Sequence, residues 1–340
     1  MSTSRRLGVL VMVAVVGMAV GAKIASVAQE SPDRHTSVAS DGSAPPALGT
    51  ALAGYPSTPG SAPAPNAPGR SSTPERRAVD TPKQPARFQP FGVVGQDDDR
   101  VPVTLPHPHP ERAIVHIKTD AASTLCTGWL VGEDTVVTAG HCVHTGGNVG
   151  KPRWAPLNSI VVRSNVDGQN GITTTPYPIC GARRLYSTTA WIREGGNGPE
   201  EYDYGAIKLN CPLGKIVGTL GLAIAPSPWP QPGSLQVIGY DNNTSAAECK
   251  IPSTWVRLCR GPGKVALVSG GLLFYDADTE LSESGSPVIL PGKCNGCVVG
   301  IHTSSYHADE LEIHRKLNHG TLITERVFNN LQAWRNARID

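Results

Sequence analysis

Aromatic side chains are scarce in this chain, and so are charges and long apolar stretches. Aromatics make up 5% of its 340 residues and charged residues 17%, with 30 basic against 28 acidic groups and a formal net charge of +2. That balance excludes the strongly basic footprint of a nucleic-acid-binding protein. Beyond Leu7–Ala22 no run is long and apolar enough to cross a bilayer. The compact metal pattern His-Glu-x-x-His is missing, and Asp97-Asp98-Asp99 is too short for a calcium loop and reads as the entry to a strand. His307, His314 and His319 do not fall at compact ligand spacing and are expected to decorate a polar loop. No cysteine precedes Cys126, and residues 29–92 lack aliphatic periodicity.

What is present divides the chain into three parts. Arg5 and Arg6 precede the apolar run Leu7–Ala22, and small residues follow up to Ser26-Val27-Ala28. That order is the pattern of a secretory signal peptide over residues 1–28, removed on export. Ser4-Arg5-Arg6 matches a twin-arginine signal only weakly, because Gly8 stands where an apolar residue is required. Residues 29–92 hold 12 of the 30 prolines. They cannot bury enough apolar surface to offset ordering entropy and read as a disordered pro-segment or spacer. From Val93 onward, short runs alternate with Gly, Pro, Asn and Asp. Ala113–Lys118, Thr135–Thr138, Leu235–Tyr240, Val265–Tyr275 and Cys297–His302 read as strands of an all-β domain over residues 93–340. Only the C-terminus reads as a helix, with Val327, Phe328, Leu331 and Trp334 on one stripe.

The eight cysteines lie between Cys126 and Cys297. An even count behind a signal peptide implies disulfides formed in an oxidising compartment. Nearest-neighbour pairing gives Cys126–Cys142, Cys180–Cys211, Cys249–Cys259 and Cys294–Cys297, though connectivity is not fixed by sequence. Cys294-Asn295-Gly296-Cys297 sits on an Asn-Gly turn without a second CxxC, which favours a hairpin staple over half a zinc site.

Three segments carry chemistry. Thr138-Ala139-Gly140-His141-Cys142 follows a strand-like run, Tyr202-Asp203-Tyr204-Gly205 opens another, and Ser284-Gly285-Ser286-Pro287-Val288 is a tight turn entering a third. A Ser hydroxyl becomes a useful nucleophile when an imidazole accepts its proton. The imidazole in turn needs a buried carboxylate to fix its tautomer and stabilise its protonated form. His141, Asp203 and Ser284 supply these residue types, far apart in the chain, so only a fold that converges distant loops could join them.

These segments resemble the catalytic signatures of chymotrypsin-like serine peptidases. Within them, Val93-Val94-Gly95-Gln96-Asp97-Asp98-Asp99-Arg100 and Gly300-Ile301-His302 are similar to the bacterial glutamyl endopeptidase (V8-like) branch, from about Val93 to the C-terminus. The resemblance implies a trypsin-like double antiparallel β-barrel ending in an α-helix. It makes Ser284 the nucleophile, His141 the general base and acid, Asp203 its orienting group, and the N–H groups of Ser284 and Ser282 the oxyanion hole. Two positions depart from the family: Ser282 replaces a Gly, and Glu283 stands where Asp, Asn or Gln is usual. They keep open a second reading, an inactive or weak protease-fold binding protein.

For specificity, the resemblance places Thr279, His302 and Ser305 in the pocket for an acidic side chain, joined by the α-amino group of Val93 once the chain is cut after Gly92. Glu283 is a second destination for that ammonium, resembling the trypsin-type activation pair. Asp278, six residues before Ser284, keeps cleavage after Arg or Lys open as an alternative to cleavage after Glu. The expected partners are protein and peptide substrates, with no cofactor, no metal, no nucleic acid and no stable membrane association after signal cleavage. The expected form is a secreted, extracellular monomer.

Overall fold

The structure, a computed structural model, describes residues 36–38, 92–94, 98–121, 125–147, 152–169, 172–195, 200–229, 233–241, 249, 256–291, 296–305 and 317–339. Residues 1–28, expected as a signal segment, and His307 and His314 lie outside them.

Twelve strands build two closed barrels. In the first are β1 (Ile114–Lys118), β2 (Leu125–Leu130), β3 (Thr135–Thr138), β4 (Val161–Ser164), β5 (Cys180–Thr188) and β6 (Gly205–Leu209). In the second are β7 (Ser234–Asp241), β8 (Arg257–Ser269), β9 (Leu272–Tyr275), β10 (Pro287–Leu290), β11 (Cys297–Ser305) and β12 (Asn318–Leu322). All pairings are antiparallel. Around the first barrel the order is β1-β2-β3-β6-β5-β4, closing back on β1. The second repeats it as β7-β8-β9-β12-β11-β10. The run Val265–Tyr275, expected as one strand, is the end of β8 and all of β9, folded back at Gly270-Gly271 with Ser269 opposite Leu272.

The period of two along each strand explains how one chain fills two layers of core. Leu130, Val136, Leu185 and Ile207 point into the first barrel, with Val115 and Ile117. Their neighbours Trp129, Val137, Tyr186 and Ala206 face the other way, where they meet Ile238, Tyr240, Ile289 and Ile301 of the second barrel. The second barrel is filled by Leu235, Val237, Leu273, Tyr275 and Val288. Strands buried on both faces therefore read as continuous apolar runs.

Among the other described elements are three short α-helices: α1 (Thr189–Glu194), α2 (Leu213–Val217) and α3 (Glu325–Asn336). Thr324 caps α3, its hydroxyl accepting the Val327 N–H, which satisfies one of the donors a helix start leaves open. The expected stripe is realised, with Val327, Leu331 and Trp334 buried and Phe328 partly so. No helix among the described residues is long and apolar enough to cross a membrane. Within the segment expected to be disordered, Thr36–Val38 pairs with Tyr186–Thr188, the stretch of β5 that runs beyond its pairing with β4.

Disulfides join Cys126–Cys142, Cys180–Cys211 and Cys249–Cys259. The remaining expected pair involves Cys294, outside the described residues. Cys126–Cys142 closes a loop of sequence separation 16 that carries His141. Replacing both cysteines with Ser is expected to lower unfolding free energy by about 3 kcal/mol, the chain-entropy value for such a loop. Urea denaturation of the variant and the parent chain measures the difference.

Candidate active site

His141 and Asp203 meet through two hydrogen bonds. The turn Gly140–Cys142 leaves the end of β3 and presents the His141 N–H to Asp203 Oδ1 at 2.8 Å. The ring Nδ1 lies 2.8 Å from Asp203 Oδ2. With Asp203 accepting at Nδ1, the proton belongs there and Nε2 is left with its lone pair. Burial opposes protonation of His141, but the Asp203 charge and hydrogen bond outweigh it and leave the imidazole pKa raised above 6.5. Trp191, from α1, stands beside the imidazole with ring centroids 6.4 Å apart. The sulfurs of Cys126 and Cys142 also approach His141 but are bonded to each other, so they offer no thiolate to a metal.

Ser284 follows the short turn Leu281–Glu283 and precedes β10. The turn is held internally by Glu283 N–H to the Glu280 carbonyl at 2.9 Å and Ser286 N–H to the Glu283 carbonyl at 2.8 Å. Thr127, on β2 of the first barrel, clamps it from outside. Its N–H donates to the Ser284 carbonyl at 2.8 Å and its hydroxyl to the Ser282 carbonyl at 3.1 Å. Gly285 has φ +88°, and a Cβ there would collide with the Thr127 carbonyl and the Thr138 hydroxyl. The nucleophile turn is thereby pressed against the strand end that leads to His141. No described residue, His141 included, takes a hydrogen bond from the Ser284 hydroxyl or N–H. In free enzymes such catalytic bonds are often loose and tighten with substrate. Ser282, the unusual residue of the pair, is buried and spends its hydroxyl on the Tyr240 carbonyl at 2.8 Å.

Of the residues expected in the pocket, Thr279 follows β9, and His302 and Ser305 both lie on β11. Thr279 is fully buried, and its hydroxyl has no partner among the described residues. Its N–H donates to the Gly92 carbonyl at 2.9 Å, which also accepts from Asn318 Nδ2 at 2.6 Å. Gly92 has φ +100°, and a side chain there would run into the Thr279 main chain. Val93 follows directly. The Ser305 backbone pairs with Asn318; its side chain is outside the described set. His302 is buried, with Nδ1 at 2.6 Å from the Tyr275 hydroxyl. Burial, with His319 and His141 nearby, pushes its pKa down to about 3, so it is a neutral ring.

Two expectations are corrected here. Asp278 does not stand free to receive a cationic substrate, because its two oxygens accept the Val94 N–H at 2.7 Å and the Asp99 N–H at 2.9 Å. Burial pushes its pKa up to about 6 against the pull of those two N–H groups. Glu283 has a cation beside it before any chain terminus is made: its Oε1 takes Arg100 Nη1 at 2.8 Å, while its buried Oε2 has no hydrogen-bond partner among the described residues. A third correction concerns His319, which is no loop decoration. It is buried on β12, 2.7 Å from Glu200 Oε2.

A model of the trypsin family matches residues 103–314. The chain belongs to the trypsin family. This trypsin-family chain is 32% identical over 265 residues to the glutamyl endopeptidase of Bacillus licheniformis, across 75% of its own length and 73% of the relative's. It is 31% identical over 256 residues to a Bacillus subtilis protein named extracellular metalloprotease, covering 73% and 71%. Among solved structures, a Glu endopeptidase superposes with a TM-score of 0.57 at 22% identity, over 72% of this chain and 100% of that one, and shares the two-barrel fold. As a trypsin-family member, the chain is a serine endopeptidase, a hydrolase of protein and peptide substrates.

Sequence reasoning missed Asn318 and Arg100. Each acts on a partner far along the chain, Gly92 for one and Glu283 for the other. Only the cluster Asp97-Asp98-Asp99-Arg100 carried a local signal, a lone cation behind three acids.

Proposed function

We propose that this chain is a secreted glutamyl endopeptidase that works through an acyl-enzyme. Ser284 Oγ attacks the scissile carbonyl carbon while His141 Nε2 takes its proton, and Asp203 holds the imidazolium. The N–H groups of Ser284 and Ser282 receive the oxyanion. His141 returns the proton to the leaving amine. Water then attacks the acyl group, His141 takes its proton, and the acid product leaves with Ser284 restored. The contacts of His141 with Asp203, beside a rigidly clamped Ser284, support these roles.

The observation that carries the acidic preference is the seat around the Gly92 carbonyl. The Thr279 N–H and Asn318 Nδ2 converge on one oxygen, next to a buried hydroxyl without a partner. Cutting before Val93, after loss of residues 1–28 as a signal and with 29–92 as spacer, turns that oxygen into part of a terminal carboxylate that departs with the released segment. Two N–H donors, the Thr279 hydroxyl and the new Val93 ammonium then face a substrate carboxylate. A buried carboxylate requires such donors. The alternative of cleavage after Arg or Lys rested on Asp278, whose oxygens are occupied.

The test uses the chain beginning at Val93, monomeric by gel filtration, and a mixed peptide library with cut sites mapped by mass spectrometry. Cuts after Glu are expected, with kcat falling about 10⁶-fold in Ser284→Ala. Cuts after Arg or Lys that depend on Ser284 would overturn the acidic preference. A folded, processed chain that cuts nothing would favour the binding-protein reading.

A further inference from the structure

Arg100 is the most deeply buried cation described, with a side chain showing no exposure to solvent. Its guanidinium is shared among three carboxylates. Nε and Nη2 form a fork on Asp98, while Nη1 reaches Glu283 at 2.8 Å and Asp241 at 3.2 Å. Glu280 adds a further negative charge near Glu283. These carboxylates belong to three different parts of the site: the segment after Val93, the end of β7, and the residue immediately before Ser284. The chain around Arg100 is fastened independently of them. Val101–Pro102 pairs with Cys259 and Arg260 on β8, and the Val103 N–H donates to the Leu258 carbonyl at 2.9 Å.

Glu283 is buried at 1% exposure and cannot be stranded there without a partner. In a trypsin-type activation pair, the carboxylate before the nucleophile is neutralised by a terminal ammonium that exists only after cleavage. A guanidinium within the chain is charged before and after any cut. We propose that Arg100 is a positioning residue that substitutes an internal cation for that ammonium, so that the Ser282–Ser284 turn is assembled whether or not the chain has been cut before Val93. Cleavage then acts on the specificity seat alone, clearing the Gly92 carbonyl from it and freeing the Val93 ammonium. The step is hydrolysis by a peptidase: water adds across the Gly92–Val93 amide, leaving a carboxylate on Gly92 and an ammonium on Val93. The inference rests on the serine-peptidase reading and extends it to how the enzyme is switched on.

The experiment measures the rate at which a small alkyl fluorophosphonate labels Ser284, in uncut chain verified by intact mass and in chain beginning at Val93. The same rate is expected for both, while cleavage of Glu-containing peptides is expected only from the cut form. In the cut form, Arg100→Gln is expected to slow labelling and kcat about 100-fold, the cost of a lost oxyanion donor, with KM little changed. The double variant Arg100→Gln/Glu283→Gln also removes the carboxylate next to the nucleophile, leaving Asp98 and Asp241 without the cation, and is expected to recover part of that loss. Labelling that appears only after cutting would overturn the proposal, as would Arg100→Gln with unaltered labelling. Should Arg100→Gln fail to fold, the comparison of cut and uncut chains decides alone. Absence of labelling in every folded form would instead sink the serine-peptidase reading itself.

Discussion

Asp203→Asn is expected to lower kcat about 10⁴-fold while leaving the barrels folded. An amide at Oδ2 would present N–H₂ or a weaker acceptor to Nδ1, favouring the tautomer in which the proton sits on Nε2 and cannot accept from Ser284. The pH profile supplies a second readout. His141 must be neutral to act as base, and its pKa is raised above 6.5 by Asp203 against the effect of burial. In the parent enzyme, kcat/KM therefore falls as pH drops through a midpoint above 6.5. Removing the Asp203 charge leaves burial as the dominant influence, so the residual activity of Asp203→Asn should have its acid limb below 6.5. Steady-state kinetics from pH 4 to 9 check both points. An acid limb that stays in place would mean that another group governs it.

The pocket offers the second large effect. Thr279→Val removes the buried hydroxyl, and Asn318→Ala removes one of the two N–H donors on the Gly92 carbonyl seat. A hydrogen bond to a charged group is worth about 1.5–3 kcal/mol, so the double variant is expected to lose about 10²–10⁴ in kcat/KM for substrates with Glu before the scissile bond. Matched substrates with Gln should lose far less, because a neutral amide demands less of the lost donors. Asn318 Nδ2 also bonds the Ala277 carbonyl at 2.7 Å, so a melting curve should accompany the kinetics. Equal losses for Glu and Gln would place the acidic side chain elsewhere.

The segments holding His141, Asp203 and Ser284 were legible because each carries its own local grammar: a strand end, a tight turn, a neighbouring cysteine. The double barrel followed from the same segments by resemblance, and the C-terminal helix from its stripe of Val327, Leu331 and Trp334. Arg100 and Asn318 were not legible. Their meaning lies in contacts 183 and 226 residues away, which no window of sequence displays. Asp278 failed for a related reason. Its position relative to Ser284 is a local fact, but whether a carboxylate is available depends on what else donates to it, and here Val94 and Asp99 do. His319 was misplaced because a polar residue on a doubly buried strand has no apolar signature of its own.

The helix α3 follows the second barrel in the chain but docks on the first. Trp334 stacks against Tyr186 and leans on Tyr204, and Asn330 Nδ2 donates to the Tyr204 hydroxyl at 2.7 Å. Lys208 Nζ reaches the Arg335 carbonyl at 3.1 Å, and Arg326 donates to the Tyr202 hydroxyl at 2.7 Å. Tyr202 and Tyr204 flank Asp203 in sequence. The tail of the domain thus works as a buckle, drawn across the seam and fastened beside the acid of the charge pair. A chain ending before Glu325 would keep His141, Asp203 and Ser284 but lose every one of these contacts to Tyr186, Tyr202, Tyr204 and Lys208.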